Sequence, residues 1–265
     1  MKIMSPRGLH ARSVFVVVAI ALTGCVAKKK SMYFADPGFT STDQVTINNK
    51  NKTVYRLQKR DVLSVRIKTL DAESSSYFNI EKETMYTNIS PATTYLNGYS
   101  VDESGNIEIP EAGAVNVEGL TIKEAEAKIM KAVGHYLNKA TIIVKLVSFK
   151  VTILGEVRSP GVQYVYNDQV TIFEALGMSG DITEFGNRTN VNLIRYTSAG
   201  QHVVVINLAE PRVLASEYLY LQPNDVLYVQ PLKAKIARGN LTAISVASFV
   251  LSLVSTIILI SETSK

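Results

Sequence analysis

The sequence predicts an α+β chain: two consecutive β-rich units, each holding one short capped helix, then a single C-terminal transmembrane helix. Three observations predict it. The stretch LQKRDVLSV at 57–65 returns as LQPNDVLYV at 221–229, with six of nine positions identical. The string TIKE at 121–124 has a counterpart in TIFE at 171–174, each followed by Ala, and Thr with Glu three residues later is the capping box that opens a helix. Residues 241–261, LTAISVASFVLSLVSTIILIS, carry no charge and as a helix would measure roughly 30 Å, about one hydrocarbon thickness.

The elements follow in chain order. Residues 1–24 read as a signal peptide: Lys2, Arg7 and Arg12 precede an apolar run at 14–22 that is too short to span a bilayer comfortably. Leu22, Thr23, Gly24 and Cys25 close it. One reading is a plain signal peptide with a buried cysteine nearby. The sharper reading is a bacterial lipoprotein signal, because Leu22-Thr23-Gly24-Cys25 matches the lipobox pattern, which implies diacylation of the Cys25 thiol and cleavage before it. Cys25 is the only cysteine, so neither an intrachain disulfide nor a two-cysteine metal site can form. Residues 25–52, with Lys28, Lys29 and Lys30 near their start, read as a lipidated flexible tether.

The first unit is placed at 53–148. Asp61 ends a polar turn before a strand carrying Val62, Leu63, Val65 and Ile67. Residues 70–97, rich in Ser, Thr, Asn and Tyr, read as a long loop. Ser104, Gly105 and Asn106 suit a turn between two short strands, with Pro110 ending the second. Thr121 and Glu124 open a helix whose apolar face carries Ala125, Ile129, Ala132 and Val133, and residues 141–147 form a strand.

The second unit is placed at 149–232. Residues 151–154 and 162–166 read as strands around Gly155, Pro160 and Gly161. Pro160 presets φ for a turn and Gly161 accepts a positive value. Thr171 opens the second helix. Residues 191–196 and 202–207 pair as strands, and the second aspartate turn, ending in Asp225, drops into a strand at 226–229. In both turns the Asp is placed to accept from backbone N–H groups, a structural role. The transmembrane segment is placed at 239–261. Ser245, Ser248, Ser252 and Ser255 fall on one of its faces at spacings of three, four and three. Such a stripe either bonds back to its own helix carbonyls or lets helices approach closely and line water.

These residues together resemble a known family. The lipobox, YRLQKRDVLSV, VDESGNIEIPEAGAVNVEGLTIKEA, VTILGEVRSPGVQYV and LQPNDVLYV stand in the order seen in Wza-type bacterial polysaccharide export lipoproteins. The family usually has Gly before the turn Asp, where this chain has Arg60 and Asn224. Arg60 implies that the first turn either avoids positive φ or is slightly strained. The resemblance implies a β-rich periplasmic export domain followed by a β-grasp domain of the soluble-ligand-binding (SLBB) type. It implies an outer-membrane component of capsule or exopolysaccharide secretion, a homo-oligomeric ring that conducts polysaccharide without covalent chemistry. It also implies an inner-membrane polysaccharide co-polymerase as partner, and outer-membrane attachment through lipid and C-terminal helix. The apolar tail departs from the amphipathic helix of the best-known members.

Other function classes find less support. The net charge of +5 is concentrated in the leader, which holds three bases and no acid, and no basic stripe interleaved with aromatics suggests nucleic acid. Of the three histidines, His10 lies in the leader while His135 and His202 stand alone, and no phosphate loop, nucleophile elbow or metal-spaced cluster is present. Neither an enzyme nor a cofactor is therefore expected. The rival reading is a non-channel glycan-binding or scaffold lipoprotein of the envelope. Tyr77, Tyr86, Tyr95 and Tyr99 could touch polymer, but such residues more often pack half-buried on β surfaces.

Overall fold

The computed structural model describes residues 31–35, 54–70, 76–80, 90–137, 139–197, 200–233, 246, 248–253 and 255–256. The chain is a mixed α/β protein with two sheet-rich units, each around its own hydrophobic core.

In the first unit β1 (Val62–Lys68) is the middle strand of an antiparallel sheet, between β2 (Tyr99–Ser100) and β5 (Thr141–Leu146). Register pairs Leu63 with Leu146 and Ile67 with Ile142, so Leu63, Val65 and Ile67 point inward together, as the two-residue period of a half-buried strand requires. A hairpin of β3 (Asn106–Ile109) and β4 (Gly113–Asn116) adds Ile107, Ile109 and Val115 to the core. The helix read from the capping box, here α2 (Ile122–Val133), starts where expected, with reciprocal bonds between Thr121 and Glu124. Its buried stripe is Ala125, Ile129 and Val133, one residue per turn.

One feature differs from the sequence reading. Within the expected loop lies a helix, α1 (Pro91–Asn97), capped by Ser90. Its capping box closes with Thr93, whose hydroxyl accepts the Ser90 N–H at 2.8 Å, so the usual Glu or Gln signal is missing. The turn at 104–106 does form, with Asp102 Oδ1 accepting from Ser104 N–H and Asn106 N–H, both at 2.8 Å. Short strands flank it as expected, β2 before it and β3 after it with Pro110 ending the second, and each pairs elsewhere. Val62 takes the pairing edge of Ser100 and β4 takes that of β3, because positive φ at Glu111 and Gly113 turns the chain tightly after Pro110.

The second unit is a five-stranded sheet of order β10-β9-β12-β6-β7. Its strands are β6 (Lys150–Gly155), β7 (Gly161–Tyr164), β9 (Gly186–Thr197), β10 (Gly200–Ile206) and β12 (Val226–Pro231). The β12–β6 pair is parallel and the other neighbours are antiparallel. A small ladder of β8 (Val170–Thr171) and β11 (Tyr220–Leu221) sits beside α3 (Ile172–Met178). The helix buries Ile172, Ala175 and Leu176 against Val151, Ile153, Leu193 and Leu227 of the sheet.

Of the expected C-terminal span, Val246, 248–253 and 255–256 are helical, and the remainder lies outside the described residues. Among the described residues no helix is long and apolar enough to cross a membrane. At the other end, residues 31–35, within the segment read as tether, lie on the second unit, where the Phe34 N–H donates to Leu208 C=O at 3.2 Å.

Candidate functional site

The repeated nonapeptide builds the same turn twice. In the first copy Asp61 N–H bonds back to Gln58 C=O at 3.2 Å, and in the second Asp225 N–H bonds to Gln222 C=O at 3.1 Å. The residue before each Asp is left-handed, Arg60 at φ 71° and Asn224 at φ 66°. A positive φ at the third position makes each a type II turn, which suits Pro223 at the second position of the later copy. Arg60 therefore does not avoid positive φ; it holds a conformation that costs a side-chain-bearing residue about 1 kcal/mol.

Each Asp carboxylate folds back onto the turn. Asp61 Oδ2 accepts from Gln58 N–H at 2.9 Å, and Asp225 Oδ2 accepts from Gln222 N–H at 2.7 Å. Both side chains are buried. Their remaining partners differ. Asp61 takes the Tyr55 hydroxyl at 2.8 Å. Asp225 takes the Arg195 guanidinium as a fork, Nε to Oδ1 at 3.0 Å and Nη2 to Oδ2 at 2.7 Å, and Arg195 also donates to Tyr220 C=O. Burial is the larger influence on each carboxyl and raises both. Gln58, Tyr55 and Ser148 oppose it at Asp61, as Arg195 and Gln222 do at Asp225. Burial and the neighbouring Asp61 also push the Tyr55 phenol up.

The two turns meet the same stretch of chain, the connection between the units. Val62 N–H donates to Ser148 Oγ at 3.0 Å, and Val147 N–H donates to Val62 C=O at 2.9 Å. On the far side Asn224 N–H donates to Lys150 C=O at 2.8 Å, and Thr152 N–H donates to Asp225 C=O at 2.9 Å. One copy grips residues 147–148 and the other grips 150–152. Ser148, Tyr55 and Arg195 complete the device and were not singled out from the sequence. Arg195 takes the next inward position of β9 after Val191 and Leu193, and a cation at an inward position was the readable signal of a buried carboxylate partner.

The other predicted residues scatter. Gly155, at φ 87°, ends β6 against β12, and a Cβ there would stand 2.1 Å from Val229 O. Gly161 begins β7 at φ 155°, and Pro160 precedes it in the seven-residue link from Ile153, which pairs with Gly161. Cys25 and the lipobox residues Leu22, Thr23 and Gly24 lie outside the described residues, as does Ser245. Ser248, Ser252 and Ser255 are helical. Ser255 Oγ donates to Leu251 C=O and Thr256 Oγ1 to Ser252 C=O, each at 2.8 Å. Tyr99 is buried, with its hydroxyl on Phe78 C=O at 3.1 Å, whereas Tyr77 and Tyr95 are 61% and 65% exposed; Tyr86 lies outside the described residues. His135 and His202 are both exposed. Among the described residues no group of three or more His, Cys, Asp or Glu is gathered for a metal.

Comparison with known proteins follows the same division. Residues 49–147 match the family described as polysaccharide biosynthesis/export protein, and residues 149–229 match the SLBB domain. The chain is 30% identical over 104 residues to the EPS I polysaccharide export outer membrane protein EpsA of Ralstonia nicotianae, an alignment covering 38% of this chain and 27% of that protein. It is 25% identical over 143 residues to the protein of the same name from Ralstonia solanacearum, covering 52% and 37%. The chain thus aligns with well under half the length of these two relatives. Residues 49–229 thus hold an export domain followed directly by an SLBB domain, the arrangement of a Wza-type polysaccharide export protein.

Proposed function

We propose that this protein is the outer-membrane component of a capsular or exopolysaccharide export machine. The observation that carries this reading is the pair of adjoining matches, export domain then SLBB domain, in a chain whose relatives are named as polysaccharide export outer membrane proteins. In this reading residues 1–24 are a signal peptide, Cys25 carries lipid and residues 239–261 cross the outer membrane. Residues 53–148 and 149–232 are the export and SLBB domains on the periplasmic side. Identical chains form a ring through which polysaccharide passes without covalent change, fed by an inner-membrane co-polymerase.

A subunit contact is supported by the outer face of the five-stranded sheet. Register aligns Val203, Ile194, Val226, Thr152 and Val162 in one row across all five strands. Val203, Val205 and Val162 on this face are 63%, 62% and 48% exposed. Apolar side chains gathered on an uncovered sheet face mark a surface that gains by being covered.

One observation favours the second reading, a scaffold lipoprotein with a simple tail. The Ser255 and Thr256 hydroxyls are already bonded one turn back, so they offer less to water or to a neighbouring helix. Native mass spectrometry of the detergent-extracted mature protein separates the two. The channel reading expects a discrete assembly of many subunits, each with a lipid mass on its first residue. A lipidated monomer or dimer would leave the scaffold reading.

A further inference from the structure

We propose that residues 31–35 form a strap that pins the lipid-proximal end of the chain onto the SLBB domain and fixes which side of that domain faces the membrane. The proposal rests on the lipid reading of Cys25. The strap lies outside both spans that match known domains, which start at residue 49.

Its seat is built for an aromatic pair. The Tyr33 hydroxyl donates to Asp181 Oδ1. The Tyr33 ring lies 4.8 Å from the Arg188 guanidinium carbon and meets the Phe173 ring edge-on at 5.7 Å. Phe34 adds a second ring 5.3 Å from Phe173, and its N–H reaches Leu208 C=O. Phe34 is held at φ 51°, which no isolated peptide would favour, so the seat imposes the backbone. Arg188 is itself buried, aimed by the Ile182 carbonyl at 2.9 Å and with Asp181 Oδ2 3.8 Å away. A guanidinium desolvated this far gains from an aromatic face laid over it. Asp181, Arg188, Phe173 and Leu208 come from four separate places in the SLBB sequence, so the seat exists only in the folded domain.

The consequence is geometric. Eight chain steps lead from Cys25 to Tyr33, a reach of at most roughly 29 Å. Without the strap the matched export domain begins at residue 49, 24 steps from Cys25, a reach of up to roughly 86 Å. The strap therefore shortens the N-terminal leash and, acting together with the short link to the C-terminal segment read at 239–261, turns the face around Asp181 toward the membrane.

The test uses the full mature chain in vesicles of phosphatidylethanolamine and phosphatidylglycerol bearing a headgroup acceptor dye. A donor dye goes on Glu184→Cys, an exposed position near the seat, where acylated Cys25 does not compete for label. Tyr33→Ala with Phe34→Ala should lower energy transfer about twofold, as an unpinned linker samples a wider range. In the parent protein the Phe34 amide should exchange at least about tenfold more slowly than in a free peptide. Tyr33→Phe, which keeps the ring and loses the Asp181 bond, should fall between the two. An unprotected Phe34 amide, or transfer unchanged in the double variant, would overturn the strap. An N-terminal peptide without lipid mass would overturn the Cys25 reading and the membrane role with it, while Phe34 protection would still report the seat.

Discussion

Asp225 shares its burial with a guanidinium; Asp61 does not. Asp225→Asn leaves Arg195 buried and unpaired, and breaking such a pair costs about 3–5 kcal/mol. Asp61→Asn keeps an oxygen for Gln58 N–H and the Tyr55 hydroxyl, so its cost at neutral pH should stay within about 1 kcal/mol. Denaturant titration of both variants checks the contrast, and equal losses would refute it. The sign with pH is also fixed. Burial holds the Asp61 carboxyl above its ordinary value of 3.8, so the fold binds that proton better than the unfolded chain does. The stability this gives is full below that value and is lost as pH rises through the folded one. Asp61→Asn should remove that fall from the stability profile above pH 3.8. At the neighbouring position Arg60→Gly should stabilise by about 0.5 kcal/mol. It relieves left-handed strain, partly offset by glycine entropy, and loses only the exposed pair with Glu103. A lower urea midpoint for this variant would show that the turn is not strained.

At the scale of elements, what could be read from the sequence was what is encoded locally. Both Thr-x-x-Glu capping boxes opened helices at the residues that announced them, because the bonds they specify lie within four residues. The repeated aspartate turn was equally legible, since Gln58 and Gln222 supply its donors from three residues away. Helix α1 was not, because its box closes with Thr93 and it carries no apolar period. Strand partners were not legible either: β2 and β3 flank one turn yet enter different sheets, β2 through the distant Val62 and β3 through a local hairpin whose turn has positive φ at Glu111. The outer face of the second sheet became visible only once register aligned five strands. It carries the prediction of this scale. Val203→Lys with Val205→Lys changes two side chains 63% and 62% exposed, so the monomer should keep its stability within about 0.5 kcal/mol. The assembled species in native mass spectra should shift to monomer, and an unaltered assembly would take this face out of the interface.

For the whole molecule the question is whether the two cores act as one body. Leu146 packs against both cores, and Phe149, three residues later, is buried in the second. Between them the aspartate turns hold the connection from each side, through Val147 and Ser148 in one direction and Lys150 and Thr152 in the other. Four hydrogen bonds over six residues leave the connection little freedom to act as a hinge, and a force on the export domain would reach the SLBB domain without being absorbed. The chain between residues 54 and 233 should therefore melt in a single calorimetric transition. Inserting two glycines between Ser148 and Phe149 keeps every side chain of both cores but lets only one turn at a time hold its half of the connection. That variant should melt in two transitions, with each domain keeping its own secondary structure. If the insertion still gives one transition, the coupling runs through other surfaces and the repeated turn serves each domain separately. If the parent already gives two, the connection is a hinge despite its bonds.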